Sequence, residues 1–127
     1  MSTRPVRQHL PIWPEALPVY LHRAPVDFRK QINGLAVIVS ESMQLDAFKP
    51  GLFVFTNSAR NRIKVLYWDA QGFCLWLKRL EKHRFVWPLQ LEAGVISLTA
   101  EQLNWLIGGY DIFRFAPHEA LTFDAIT

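Results

Sequence analysis

Between Leu52 and Leu80 three apolar runs are joined by two short turns, a pattern that leaves this stretch little choice but an antiparallel meander. The spacing predicts strands over 52–57, 62–69 and 73–80. Ala70-Gln71-Gly72 fits a three-residue hairpin loop with Gly72 in the left-handed bulge position, which pairs Asp69 with Phe73. That register puts Ile63, Val65, Tyr67, Phe73, Leu75 and Leu77 on one face and Arg62, Lys64, Leu66, Trp68, Cys74, Trp76 and Lys78 on the other. Treating Ala59-Arg60-Asn61 the same way, with Asn61 left-handed, pairs Asn57 with Ile63. Phe53 and Phe55 then join the apolar face, and Val54 and Thr56 the mixed one. Both turns name the same face as core, and a slip of one residue would bury Lys64 and Lys78 instead.

The flanking segments are built around this meander. Leu17 to Arg23 alternates Leu17, Val19 and Leu21 with Pro18, Tyr20 and His22, a short strand whose proline favours an edge. Asp27 is placed to cap a helix over 27–43, since Phe28, Ile32, Leu35, Ala36, Val39 and Met43 recur at amphipathic spacing. Thr99-Ala100-Glu101-Gln102 is a capping-box pattern opening a second helix over 99–108, ended by Gly108-Gly109. Val95 to Leu98 reads as one more short strand and Tyr110 to Ala116 as a last one. The expectation is an α+β fold: a small antiparallel meander, about 52–80, packed through Phe55, Val65, Tyr67 and Leu75 on helix 27–43, with the C-terminal helix 99–108 beside it.

A length of 127 residues, half of them hydrophobic, suits one domain with a real core. Its expected extent is 17–116, preceded by a loose Pro-rich arm over 1–16 and followed by a tail over 117–127. The start MSTRPVRQHL has no apolar segment of the kind that marks export, and no run reaches membrane-spanning length, so cytoplasmic residence is expected.

Charge is distributed less evenly than the net +3 suggests. Residues 57 to 88 hold seven of the fourteen Lys and Arg residues and two of the eleven acids, while residues 85 to 127 carry −4. The cations are interleaved with Tyr67, Trp68, Phe73, Trp76 and Trp87. A basic field mixed with aromatics is what a phosphate backbone and unstacked bases would each select. The bland alternative is a solvated strand face guarded by lysines, with Trp68 and Trp76 packed beneath the C-terminal helix.

Catalytic and metal chemistry find no foothold in these residues. Cys74 is single and reads as a small core residue, and His9, His22, His83 and His118 are scattered without zinc spacing. A metal-dependent nuclease needs clustered carboxylates, but Asp27, Asp69 and Glu81 are isolated and the position where a second acid would precede Lys78 is Trp76. No nucleophile motif and no phosphate-cradling glycine loop is present. The expectation is no enzyme, no cofactor and no metal.

Three segments in order, PVDFRKQINGLAVIV (25–39), LFVFTNSARNRIKVLYWDAQGFCLWLKRLEKHRFVWP (52–88) and LTAEQLNWLIGGYD (98–111), resemble the TnpB-type accessory protein from the second open reading frame of IS-sixty-six-type insertion sequences. This family is distinct from the RNA-guided nucleases that share the name TnpB. The resemblance implies a bacterial protein that assists DNA transposition beside a separate transposase carrying the strand-transfer chemistry, and it supplies no catalytic residues. The positions matching the family pattern that are placed to touch a partner are Arg29 and Lys30, then Arg60, Arg62 and Lys64, then Lys78, Arg79, Lys82 and Arg84. Ser58-Ala59 stand where relatives tend to be basic, so this turn carries less charge. Two functions follow. In one, these cations bind DNA phosphates and Trp68 or Trp76 stacks on bases. In the other, the face of Val54, Leu66, Trp68 and Trp76 docks on the transposase or on a second copy of the chain.

Overall fold

The computed structural model describes residues 13–114 and arranges them as β1 (Val19–His22), α1 (Ile32–Glu41), β2 (Leu52–Thr56), β3 (Arg62–Asp69), β4 (Gly72–Arg79), β5 (Val95–Leu98) and α2 (Ala100–Ile107). The strands form one sheet in the order β4-β3-β2-β1-β5. The meander β2-β3-β4 is antiparallel, whereas β1 and β2 run parallel and are therefore joined by a crossover through α1. The result is a small α+β fold with helix α1 on one face of the sheet and α2 on the other.

Both faces are thus covered, and each has its own core. Under α1, Leu35, Val39, Met43 and Ala47 meet Phe53, Phe55, Leu66 and Val95. Burying each large side chain of this stripe stabilises the fold by about 1.5–3 kcal/mol. On the far face Val19, Leu21, Val54, Ile63, Val65 and Ile96 pack with Leu103, Leu106 and Ile107 of α2 and with Phe85 and Trp87. Strand β2 is buried at all its positions, as a strand sandwiched between two layers must be.

The expected register is off by one residue at both turns. At the β3–β4 hairpin Asp69 pairs with Gly72, not Phe73, leaving a two-residue turn in which Ala70 takes φ +53°. At the β2–β3 turn Thr56, not Asn57, pairs with Ile63, and the left-handed residue is Arg60 at φ +59° instead of Asn61. The cause lies in Asn57, whose Oδ1 accepts from the N–H groups of Asn61 and Arg62 (both 3.1 Å) and whose Nδ2 donates to Asn61 Oδ1 at 2.7 Å. An asparagine that closes a longer loop through its own side chain outweighs the small strain of a left-handed arginine. Consequently Lys64, Leu66 and Trp68 share the α1 face with Phe53, Phe55, Phe73, Leu75 and Leu77, while Ile63, Val65 and Tyr67 share the α2 face with Val54, Cys74, Trp76 and Lys78. Lys64 and Lys78 both point toward helix-covered sides, against expectation.

Three local expectations also change. Strand β1 lies inside the sheet, between β2 and β5, because Pro18 falls just before it and contributes only a carbonyl, which accepts from Leu52 N–H at 2.9 Å. Asp27 does not cap α1, which starts at Ile32 after an extended Gln31 with no side-chain cap. Its carboxylate instead holds a tight turn, accepting from Arg29 N–H at 2.9 Å, and Lys30 N–H closes on the Asp27 carbonyl. No strand forms over 110–114, and residues 115–116 of that expected strand lie outside the described residues. The capping box of α2 is present: Thr99 accepts from Gln102 N–H, and the Gln102 side chain returns to Thr99 N–H. At its other end Gly109, at φ +93°, allows Tyr110 N–H to reach Trp105 O while its own N–H reaches Leu106 O, a Schellman closure. Residues 1–12 of the expected arm and the tail 117–127 lie outside the described residues. Among the described residues no helix is long and apolar enough to cross a membrane.

Candidate nucleic-acid interface

The cations singled out in the sequence fall into two groups once the fold is in place, one open to a polyanion and one tied to backbone carbonyls. The segment after β4 is tied to the β2–β3 turn by two backbone bonds, Leu80 N–H to Asn61 O at 2.8 Å and Phe85 N–H to Arg60 O at 2.7 Å. Phe85 and Trp87 are buried, and the Trp87 indole donates to His22 O at 3.2 Å, so the segment is pinned from beneath. Glu81, Lys82, His83 and Arg84, which bridge the two ties, are all exposed. Strand pairing sets Arg62 opposite Arg79 on the α1 side of the same end. Arg60, Arg62, Arg79, Lys82 and Arg84 therefore collect along one rim of the sheet.

Few carboxylates offset them. Arg79 pairs with Glu81 at 2.9 Å in the open, where such a pair is worth little. Among the described residues no carboxylate lies at ion-pair distance from Arg60, Arg62, Lys82 or Arg84. Exposed Lys30 and Arg29 flank the rim at the start of α1. Arg29 grips Asp27 in a two-pronged contact of 2.7–3.1 Å, and its guanidinium holds the Asp27 carboxyl down at about 2.

The second group has structural work. Lys64 is 4% exposed; its Nζ donates to the carbonyls of Phe28 at 3.0 Å and Lys30 at 2.8 Å and lies 4.7 Å from the Phe28 ring centre. Burial, with the Arg62 charge beside it, pulls its pKa below that of a free lysine. Lys78 donates from Nζ to Ile107 O at 3.1 Å, at the carbonyl end of α2 where a cation is favoured. Trp68 packs edge-on between Phe48 and Phe73, with ring centres 5.0 Å from each. Trp76 meets Trp13 at 5.7 Å, and Trp13 also meets Tyr67. Both tryptophans are half-buried and packed against neighbouring rings. Val54 and Leu66 are fully buried, so the apolar docking face expected around them is not a surface.

Asp69 ends β3 at the opposite end of the strand from the rim beside which Glu81 lies, and among the described residues no three His, Cys, Asp or Glu side chains gather as a metal site would require. Sequence reasoning missed Asn57, although an Asx residue five positions before the first strand cation is a recognisable turn signal.

Comparison with known proteins places the chain in a family. The family described as IS66 Orf2-like protein matches residues 17–117. Two proteins of Sinorhizobium fredii are similar: uncharacterized protein y4hO, 38% identical over 93 residues covering 73% of this chain and 80% of the relative, and uncharacterized protein y4jC, 33% identical over 90 residues covering 71% and 76%. No solved structure matches the chain. With the family's pattern spanning the sheet and both helices, the chain belongs to the IS66 Orf2-like family, whose place is that of an accessory in insertion-sequence transposition.

Proposed function

We propose that this accessory protein binds DNA along the basic rim, through Arg60, Arg62, Lys82 and Arg84, with Arg79, Arg29 and Lys30 at its flanks. The observation that carries the reading is the pair of backbone bonds from Leu80 and Phe85 to the β2–β3 turn, which hold cations from three chain segments on one end of the sheet. Like charges set directly opposite each other, as Arg62 and Arg79 are, destabilise a free protein. A polyanion relieves that repulsion. Phosphate contacts position a protein without reading sequence, so the rim suits a duplex backbone more than particular bases. The packed state of Trp68 and Trp76 points the same way. Strand-transfer chemistry is left to a separate transposase, and this chain acts beside it without cleaving DNA.

Mobility-shift titrations with duplex DNA at several salt concentrations test the reading. If about four rim cations contact phosphates, log affinity should fall against log salt with a slope of about −3 to −4, at roughly 0.9 counterion per contact. Arg62→Gln with Arg84→Gln should flatten the slope by about two units and leave the fold intact. An unchanged slope in the double variant, or no binding by the parent at low salt, removes the rim from consideration.

A further inference from the structure

Strand β4 is the outermost strand on its side of the sheet, and it pairs only with β3 among the described residues. Leu80 N–H bonds inward to Asn61 O, so alternation along the ladder turns the backbone groups of Gly72, Cys74, Trp76 and Lys78 toward β3. The N–H and C=O groups of Phe73, Leu75, Leu77 and Arg79 then face outward. Such an edge is usually blunted by a proline, a bulge or a row of charges. Here the pairing is regular from Gly72 to Arg79, and charge appears only at the last two positions.

The same four residues send their side chains to the α1 face, where the edge meets the first turn of the helix. A groove runs there between Phe28, Gln31, Arg62, Lys64, Leu75 and Leu77, and it continues past Gln31 along Lys30 and Gly34. Its floor is apolar, with Leu77 54% exposed. Its charged lining is all cationic, from Lys30, Arg62 and Lys64, and α1 has no acidic residue in its first turn to offset the positive end of its dipole.

We propose that this groove captures an extended acidic segment of a partner protein, which adds to β4 as a further strand. Main-chain bonds to the four outward residues supply affinity, an apolar side chain of the segment rests on Leu75 and Leu77, and its carboxylates face Lys30 and Arg62. A second copy of the chain is a poor occupant, because β4 itself, GFCLWLKR, brings two cations and no acid to the pairing. Nucleic acid has no use for a row of alternating backbone donors and acceptors.

The test uses the full chain, isotope-labelled, with an eight-residue synthetic peptide matched to the length of β4, in which the four positions of one face are valine and glutamate in turn and the four of the other face are threonine. Amide exchange at Phe73, Leu75, Leu77 and Arg79 should slow about tenfold or more on saturation, while amides already bonded to β3 stay as they were. The counterpart with lysine for glutamate should not bind. Leu77→Gln removes the apolar seat and leaves the charge unchanged, and should weaken the peptide about tenfold while duplex DNA binds as to the parent. Leu77→Pro, at an edge position that tolerates proline, removes one outward donor and should also weaken the peptide. The proposal is overturned by the absence of slowing at millimolar peptide, or by parent-level peptide binding in both Leu77 variants. It is equally overturned if DNA alone protects the same amides, which would give the groove to nucleic acid, or if they become protected with rising protein concentration and no peptide, which would give it to a second copy. Since Leu77→Gln leaves the charge of the rim as it is, loss of peptide capture and loss of DNA binding are read separately.

Discussion

Lys64 gives the sharpest test of the division between structural and partner-facing cations. Its ammonium has left water for two backbone carbonyls and a ring face. Each charge-assisted bond contributes about 1.5–3 kcal/mol and the ring contact about 1, against a desolvation penalty of several kcal/mol, so the net worth of the charge is small. Removing it is still costly, because the acceptors remain. Lys64→Met keeps most of the stem but leaves Phe28 O and Lys30 O without their donor, at about 1–3 kcal/mol each if they stay dry. Both belong to the segment before α1, which is half-buried at Phe28 and exposed at Lys30, so water can reach them and the low end applies. The expected destabilisation is about 1–2 kcal/mol, or a melting point lower by about 4–8 °C for a domain of this size. Urea unfolding and thermal melts give the stability. Mobility shifts across salt give the second readout, for which no change of slope is expected. A Lys64→Met protein as stable as the parent, with a salt slope flatter by about one unit, would mean that the lysine touches phosphate and that its burial has been misread.

Two further outcomes follow from the same contacts. Asn57→Ala removes three hydrogen bonds from the β2–β3 turn and should cost about 2–3 kcal/mol in urea unfolding; DNA affinity should fall with it, since the turn is what holds Arg60 and the 80–85 segment together. His22 is buried, its Nδ1–H donating to Ala24 O at 2.7 Å and its Nε2 lying 3.1 Å from Ser42 Oγ, and burial lowers its pKa. The unfolded chain therefore takes up the proton first as pH falls, so stability should decline from about pH 6.5 downward by up to about 1.4 kcal/mol per unit. Titrating the urea midpoint between about pH 7.5 and 5 checks this, and His22→Gln should flatten the decline. Asp27, held at about 2, loses its contribution as pH falls from the ordinary carboxylate range of about 4 down through 2, below the interval titrated for His22.

Much of the fold is legible in the sequence for reasons that are local. The capping box of α2 needs only Thr99 and Gln102, the α1 stripe needs only its spacing, and the meander needs only three apolar runs with turns between them. The start of α1 was not legible, because Asp27 has two uses within reach and prefers the turn with Arg29 to the helix end. Nor was the interior position of β1, since Pro18 excludes a central strand only if it lies within the ladder.

The register shows where such reasoning fails and why the site moves with it. Each turn is longer or shorter than expected by one residue, so β2 and β4 keep their faces relative to each other and β3 alone is inverted between them. The agreement of the two turns was therefore not independent support. The expected register rests on loops closed by Gly72 and Asn61, and its check, that Lys64 and Lys78 stay in water, holds for a sheet with one wet face and fails for a sheet covered on both. In β3 the run Ile63 to Leu66 is buried without a break, and Lys64 is accommodated there because the chain before α1 offers it carbonyls. Once neither face is wet, side chains on the strands can no longer make a broad basic surface. Among the described residues, partners can still meet the rim, where Arg60, Arg62, Lys82 and Arg84 gather, and the β4 edge, where the outward backbone groups have no strand beside them. These are different chemistries at adjoining places. A phosphate backbone is the proposed ligand of the first and an acidic strand of the second, and Arg62, which stands between them, is the residue for which the two would compete.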